Sequence, residues 1–142
     1  MGGPRRSNFQ FTNPVLVEMV FNVNQKYQPP QEGTQEIPIE IKVTKPNSEE
    51  YKTQTVSVSL TVKIGEDQNS LFPYFLLATM MANFRWESSL PDKMVEAMLS
   101  QNAPSLLLGY LRPLIAQITS ASPVGAFHLP FMNFVQPEDN EP

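Results

Sequence analysis

Three segments of this chain alternate apolar and polar residues with a period of two, and this alternation constrains the fold more than any other feature. The segments are "VLVEMVFNVN" (15–24), "EIPIEIKVTK" (36–45) and "QTVSVSLTVKI" (54–64). Alternation of this kind is typical of strands that bury one face and expose the other. The three segments therefore predict half-buried strands of an antiparallel sheet.

The first of these segments also predicts which residues share a face. On the apolar face we expect Val15, Val17, Met19, Phe21 and Val23. Glu18 and Asn22 are expected on the opposite face. In the second segment, Pro38 would be least costly at the start of a strand or on an edge, because it has no backbone donor for the ladder.

A fourth segment, "LFPYFLLATMMANFRW" (71–86), has apolar residues at both odd and even positions. Its aromatic residues favour a strand, bent near Pro73. A strand that is apolar on both faces is normally covered on both sides, by helices, another subunit or a ligand. We expect this short chain to supply only part of that cover.

The period changes after residue 90, where two helices are predicted. A short amphipathic helix is expected over 91–100, with Pro91 near its first turn. Asn102 is expected to end this helix or to cap the next one. A longer helix is expected from about 104 to 120, because apolar residues recur there at helical spacing: Leu107, Leu111, Leu114, Ile115 and Ile118. Pro113 should kink it, since proline removes a backbone donor and crowds the preceding turn.

Beyond Pro123 no period persists, and "QPEDNEP" at the C-terminus predicts an acidic disordered tail. The expected organisation is a flexible N-terminus (1–8), one domain (9–134) and the tail (135–142). Together the predicted elements give an α+β fold, in which four antiparallel strands are followed by a short and a long helix.

Composition excludes several classes of function. The net charge of −4 gives no electrostatic case for nucleic acid, and the absence of cysteine excludes disulfides and thiolate metal sites. No segment has the roughly 18–20 apolar residues of a membrane span, and the N-terminus lacks the apolar core of a secretory signal. We therefore expect a cytoplasmic protein.

Catalytic motifs are missing as well. No nucleophile elbow or phosphate-binding glycine loop occurs, and His128 is the only histidine. Nothing in the sequence offers several convergent metal ligands. We expect no enzyme activity, no cofactor and no metal, and a small enzyme using His128 is the weakest alternative.

Apolar surface remains as the main functional signal. Charged residues are only 17% of the chain, against roughly 25% in ordinary soluble domains. The apolar excess is concentrated in 71–84 and 123–134, the latter rich in proline and aromatic residues. Three interpretations remain open from the residues alone: an oligomer interface, an ordinary core, and a groove for extended unfolded peptide lined by adaptable methionine and aromatic side chains.

The segment 104–134 resembles the C-terminal signature of the SecB protein-export chaperones. The matching positions are Pro104, Leu107, Tyr110, Arg112, Ile115, Thr119, Leu129, Asn133 and Phe134. The order of elements agrees too, with four strands, a short helix, a long helix and a proline-rich loop. "FQFTNPVLVEMVFNVN" is similar to the first strand of the family, and the resemblance covers about 9–134.

This resemblance implies a four-stranded antiparallel sheet with helices on one face, assembled as a homotetramer from two dimers. It implies a holdase that binds unfolded polypeptide in apolar grooves without ATP, in some relatives for protein export. Client-binding positions carried over by the resemblance are Val124, Phe127, Leu129, Phe131, Met132, Phe134, Phe72, Tyr74, Leu76 and Phe84. The positions expected at the oligomer interface are Leu107, Leu111, Leu114, Ile115 and Ile118.

The chain departs from the export chaperones on the sheet face that docks the motor SecA. Glu18 keeps one acidic position, but Asn22 replaces another, and 77–79 is apolar where the family is acidic. These departures favour a divergent member. Some SecB-like relatives accompany toxin–antitoxin pairs instead, so the alternative function is that of a dedicated interaction protein with one partner, such as an antitoxin.

Overall fold

The fold was analysed in a computed structural model that describes residues 3–31, 33 and 36–134. The strands are β1 (Phe9–Phe11), β2 (Val15–Val23), β3 (Ile39–Thr44), β4 (Thr55–Gly65) and β5 (Tyr74–Trp86). The predicted tail (135–142) and the first two residues of the predicted flexible N-terminus lie outside the described residues.

The five strands form one antiparallel sheet with β5 inside it. On one side β5 pairs with β4, which in turn pairs with β3. On the other side β5 pairs with both β1 and β2, which occupy the same edge one after the other. The sheet is therefore four strands wide, and the predicted α+β fold with a four-stranded antiparallel sheet is confirmed.

Local chemistry sets the strand ends. Pro38 directly precedes β3, where its missing donor is harmless, and its carbonyl accepts a hydrogen bond from Gly65 N–H at 3.0 Å. Gly65 ends β4 with a φ of 75°, and a Cβ there would lie 2.1 Å from the carbonyl oxygen of Tyr74. Only glycine fits this close approach of two backbones.

The predicted alternation along β2 is wrong in its first part. A register shift lies between Leu16 and Glu18, so Val17 is inserted as a bulge. Val15 pairs with Met81, which puts it on the same face as Glu18 rather than with Met19 and Phe21. A bulge changes the face that later side chains occupy, and the period-two pattern alone did not reveal it.

The two sheet faces differ in their cover. The even-numbered residues of β4 and β5 are buried beneath the helices; among them Leu60, Tyr74 and Leu76 have no exposed surface. On the other face, called here the open face, β4 carries serine and threonine. There β5 presents the half-buried side chains of Phe75, Leu77 and Met81.

The helical part is continuous, from Asp92 to Thr119. Helix α1 (Asp92–Ala97) passes through a π-helical turn (Met98–Asn102) into α2 (Ala103–Thr119). Asn102 has helical dihedral angles and makes no side-chain capping bond, so the predicted break at this residue is wrong. A π turn inserts a residue without ending the helix.

Pro113 lies inside α2, on its exposed side. The carbonyl that loses its helical donor belongs to Gly109, four residues earlier, which is also exposed. Water can therefore satisfy this carbonyl, which explains how the helix accommodates the proline. Within the described residues no helix is long and apolar enough to cross a membrane.

Candidate functional site

The segment that follows α2 runs back along the helix toward its N-terminal end. Phe127 N–H donates to the hydroxyl of Thr119, in the last turn of α2, at 2.8 Å. Further along, Arg112 donates from Nε to the Leu129 carbonyl at 3.2 Å and from a terminal nitrogen to the Pro130 carbonyl at 2.8 Å. Helix side chains thus hold the segment 127–130 through its backbone.

A compact turn reverses the chain between the helix and this segment. Gly125 has a φ of 83°, which favours glycine, and its N–H donates to the Ser122 carbonyl at 3.3 Å. The hydroxyl of Ser122 donates to the Gly125 carbonyl at 3.2 Å. These bonds direct the residues after Gly125 back onto the helix.

The six C-terminal residues expected to bind client divide into three groups by exposure. Leu129 is buried, whereas Phe127, Met132 and Phe134 are half-buried and pack against the core. Val124 is 48% exposed and Phe131 is 94% exposed. We call these six side chains the C-terminal apolar surface: Val124, Phe127, Leu129, Phe131, Met132 and Phe134.

Phe131 is the outermost of these side chains. Its ring lies 4.8 Å from the guanidinium carbon of Arg112. A guanidinium at this distance attracts the face of an aromatic ring and helps to fix its position. Arg112 therefore presents an exposed aromatic side chain to solvent.

The four strand positions expected to bind client lie elsewhere. Tyr74 and Leu76 have no exposed surface, and Phe84 and Phe72 are buried. The Tyr74 hydroxyl has no hydrogen-bond partner among the described residues, and burial raises its pKa to about 12. Phe84 also lines an apolar cleft.

That cleft, of about 470 Å³, lies between β1 and the first turns of α2. Phe9 and Phe11 of β1 line it with Phe84. The Phe11 ring also contacts that of Tyr110 on α2 at 6.5 Å. Phe9 and Phe11 were not among the predicted site residues, although the two aromatic residues that alternate with a polar one in "FQF" were a signal of a short strand.

The five positions expected at an oligomer interface also divide into two groups by burial. Leu107, Leu111 and Ile115 have no exposed surface and cover the chain's own sheet. Leu114 and Ile118 are half-buried. They continue a stripe of incompletely covered side chains at four-residue spacing, the α2 stripe: Leu106, Tyr110, Leu114 and Ile118.

Glu18 is exposed on the open face, where it pairs with Thr79. Its neighbours on β2, on the same face, are Val15 and Val20. His128 is exposed and lines a shallow cleft with Arg112 and Leu129. Among the described residues there is no group of three histidine, aspartate or glutamate side chains that could hold a metal ion.

A polar network that sequence analysis missed joins the β3–β4 connection to α1. The connection contains a 3-10 helix (Ser48–Thr53) that places Tyr51 beside Glu96. Tyr51 donates its hydroxyl to Glu96 Oε2 at 2.5 Å, and Lys45 Nζ donates to Glu96 Oε1 at 3.0 Å. Their separation along the chain hid this cluster from any local pattern.

The network shifts the ionisation of all three groups. The hydrogen bond from Tyr51 lowers the pKa of Glu96 against the opposing effect of burial, and Lys45 adds to the lowering. Burial and the bond to Glu96 raise the pKa of Tyr51. Burial would lower the pKa of Lys45, but its bonds to Glu96 and Tyr51 outweigh burial and raise it. The network therefore favours an ionised Glu96, a neutral Tyr51 and a protonated Lys45.

Comparisons with known proteins place the fold. No protein-family model matches the chain, and no curated protein matches it in sequence. Among solved structures it is similar to a SecB-like chaperone from Mycobacterium tuberculosis, solved with a ChAD peptide from the HigA1 antitoxin. The identity is 14% and the TM-score 0.61, over 87% of this chain and 90% of that one.

A second solved structure is a protein of unknown function from Streptococcus agalactiae. The identity is 12% and the TM-score 0.50, over 87% of this chain and 97% of that one. At these identities the likeness concerns the fold alone. The chain therefore has the fold of the SecB-like chaperones, as the sequence resemblance implied.

Proposed function

We propose that this protein is an ATP-independent holdase that binds unfolded polypeptide along its C-terminal apolar surface. The observation that carries the proposal is Phe131, which is 94% exposed yet held over Arg112 beside half-buried Phe127 and Met132. An exposed aromatic side chain on an ordered backbone costs apolar hydration and is typical of a contact site. The SecB-like fold supports the same function.

Binding would come from apolar burial, with little need for a shaped pocket. Burying one phenylalanine side chain is worth about 1.5–3 kcal/mol, or roughly ten- to a hundredfold in Kd. Methionine and aromatic side chains adapt to different partners, which suits a protein that accepts many clients. We take residues 9–134 as the chaperone domain.

Suppression of client aggregation tests this function. A denatured client is diluted into buffer with a stoichiometric amount of this protein and no nucleotide, and light scattering is followed. We expect the wild type to suppress scattering and Phe131→Ser to suppress it less. The matched control is Val15→Ser, which removes a 55% exposed apolar side chain from the open face. No suppression by the wild type would contradict the proposal.

We also propose that the protein works as an oligomer, a homotetramer of two dimers in the cytoplasm. The α2 stripe supports self-association, because Leu114, Ile118 and Tyr110 keep exposed apolar surface beside an edge strand with no partner on its outer side in the described part of the chain. Sedimentation at micromolar concentration should give a species larger than a monomer. A stable monomer would contradict this assembly.

The second candidate function is that of a dedicated chaperone for one partner, such as an antitoxin. It is favoured by the structural similarity to the chaperone solved with an antitoxin peptide. A panel of unrelated denatured proteins separates the two functions. A general holdase suppresses the aggregation of several of them, whereas a dedicated chaperone suppresses the aggregation of its partner only.

The variant Glu18→Gln tests docking to a motor such as SecA. If the motor binds the open face, its binding to this variant should be weaker than its binding to the wild type.

A further inference from the structure

A cleft of about 840 Å³ lies between the 3-10 helix and α1, far from the C-terminal apolar surface in sequence. Its charged lining consists of Lys45, Lys52, Lys93, Asp92 and Glu96. Three ammonium groups thus face two carboxylates, in a chain whose net charge is −4. The lining of the cleft therefore carries one more positive than negative charge, although the protein is acidic.

The charges in this cleft are not equally available. Both oxygens of Glu96 are occupied, one by Lys45 and the other by Tyr51. Within the described residues, the side chains of Lys52, Lys93 and Asp92 make no hydrogen bond or ion pair. Two free cations and one free anion therefore remain for a ligand, and the balance favours a ligand with negative charge.

The walls of the cleft add an apolar component. Tyr51 and Trp86 meet edge to face, with ring centres 5.9 Å apart, and Leu90 also lines the site. Both rings are mostly buried, which fixes their positions. A ligand that fits this site would carry a carboxylate next to an aromatic or aliphatic side chain.

Helix geometry indicates that the cleft and the C-terminal apolar surface lie on the same flank of the helix. Tyr110 contacts Phe11 at the β1 edge, and Arg112 lies about 200° further round the helix, which directs it toward the opposite, β3 side. Glu96 contacts Lys45 at the end of β3. Along the helix, Arg112 and Glu96 are separated by about 24 Å, which an extended peptide of roughly seven residues would span.

We propose that this cleft binds an acidic segment of the client polypeptide, with its carboxylates paired to Lys52 and Lys93 and its apolar side chain against the Tyr51–Trp86 wall. The proposal rests on the proposed holdase function and adds a charge preference to it. A client would then be held at two points, one apolar and one acidic. Linking two weak sites through one chain raises the overall affinity.

Trp86 makes the proposal directly measurable, because it is the only tryptophan in the chain and lines the cleft. The probe is a short synthetic peptide containing Phe-Glu-Glu-Leu, compared with an otherwise identical peptide containing Phe-Gln-Gln-Leu. Tryptophan emission is followed during titration of each. We expect the acidic peptide to change the emission and to bind roughly five- to tenfold more tightly.

Paired lysine variants locate the effect. Lys52→Gln combined with Lys93→Gln should abolish the preference for the acidic peptide. The control, Lys26→Gln combined with Lys42→Gln, removes the same charge from exposed positions outside the cleft and should keep the preference. Equal affinity for both peptides, no change in Trp86 emission, or the same loss in the control would overturn the proposal.

Failure of the cleft proposal can be distinguished from failure of the proposed holdase function. If the wild type suppresses client aggregation but Trp86 does not respond to the acidic peptide, the cleft proposal is wrong and the holdase function stands. If the protein suppresses no aggregation but the acidic peptide binds with the expected lysine dependence, the cleft is a site of different purpose.

Discussion

The guanidinium of Arg112 is 4.8 Å from the ring of Phe131, and the same group donates a 2.8 Å hydrogen bond to the Pro130 carbonyl. One side chain of α2 therefore fixes both the backbone of the C-terminal segment and its most exposed aromatic ring. This makes Arg112 the residue through which the helix controls the proposed client surface.

Replacing Arg112 should loosen that surface more than it destabilises the fold. In Arg112→Gln the carbonyls of Leu129 and Pro130 lose a charged donor, and the free energy of unfolding should fall by about 1–2 kcal/mol. Hydrogen exchange of the amides over 127–134 should become faster, while amides of β4 and β5 stay protected. Arg85→Gln, on the exposed face of β5, is the control. Unchanged exchange in Arg112→Gln would contradict this role.

The buried hydroxyl of Thr119 is expected to matter for stability. It donates to the Ile115 carbonyl at 2.6 Å and accepts from Phe127 N–H at 2.8 Å. Thr119→Val keeps the shape but leaves that N–H without its partner, which should cost about 1–3 kcal/mol in thermal or chemical denaturation. Ser120→Ala, one residue later and exposed, should be nearly neutral. Similar effects of both changes would argue against the Thr119 contact.

Much of the sheet could be predicted from the sequence, because period-two alternation directly records which side chains are buried. The bulge at Val17 and the π turn before Ala103 were missed, since each inserts one residue without a composition signal. The site was only partly predictable. Its apolar residues were visible in 124–134, but the bonds from Thr119 and Arg112 that position them join residues far apart in the chain.

Removing the proline from α2 should stabilise the protein. Pro113→Ala restores a donor for the Gly109 carbonyl and removes steric crowding, at an exposed position that lines a cleft with His128 and Leu129. Since proline costs roughly 3 kcal/mol relative to alanine inside a helix, we expect a gain of about 1–3 kcal/mol in the free energy of unfolding. Chemical denaturation measures it. A loss of stability would show that the proline serves the packing of α2.

The Lys45–Tyr51–Glu96 network predicts a specific dependence of stability on pH. The pKa of Glu96 is lowered by Tyr51 from its ordinary value of 4.5, so the carboxylate stabilises the folded state above that value. This contribution is lost as the pH falls through the lowered pKa. The thermal stability of the wild type should therefore exceed that of Glu96→Gln near neutral pH and approach it in acid.

At basic pH the network makes stability depend on pH with the opposite sign. The raised pKa values of Tyr51 and Lys45 favour their protonated forms, so their contribution is complete at neutral pH and is lost as the pH rises through the raised values. Glu49→Gln, an exposed change on the same 3-10 helix, is the control, because Glu49 lies outside the network. A difference in stability between the wild type and Glu96→Gln that does not change with pH would contradict the network.

Photocrosslinking at Phe131 tests the central claim most directly. A benzophenone side chain is placed at Phe131 in one variant and at Val15, exposed on the open face, in another, and each is irradiated with a denatured client. We predict abundant crosslinks from position 131 and few from position 15, with the folded client giving neither. Equal crosslinking from both positions, or none from position 131, would contradict the account.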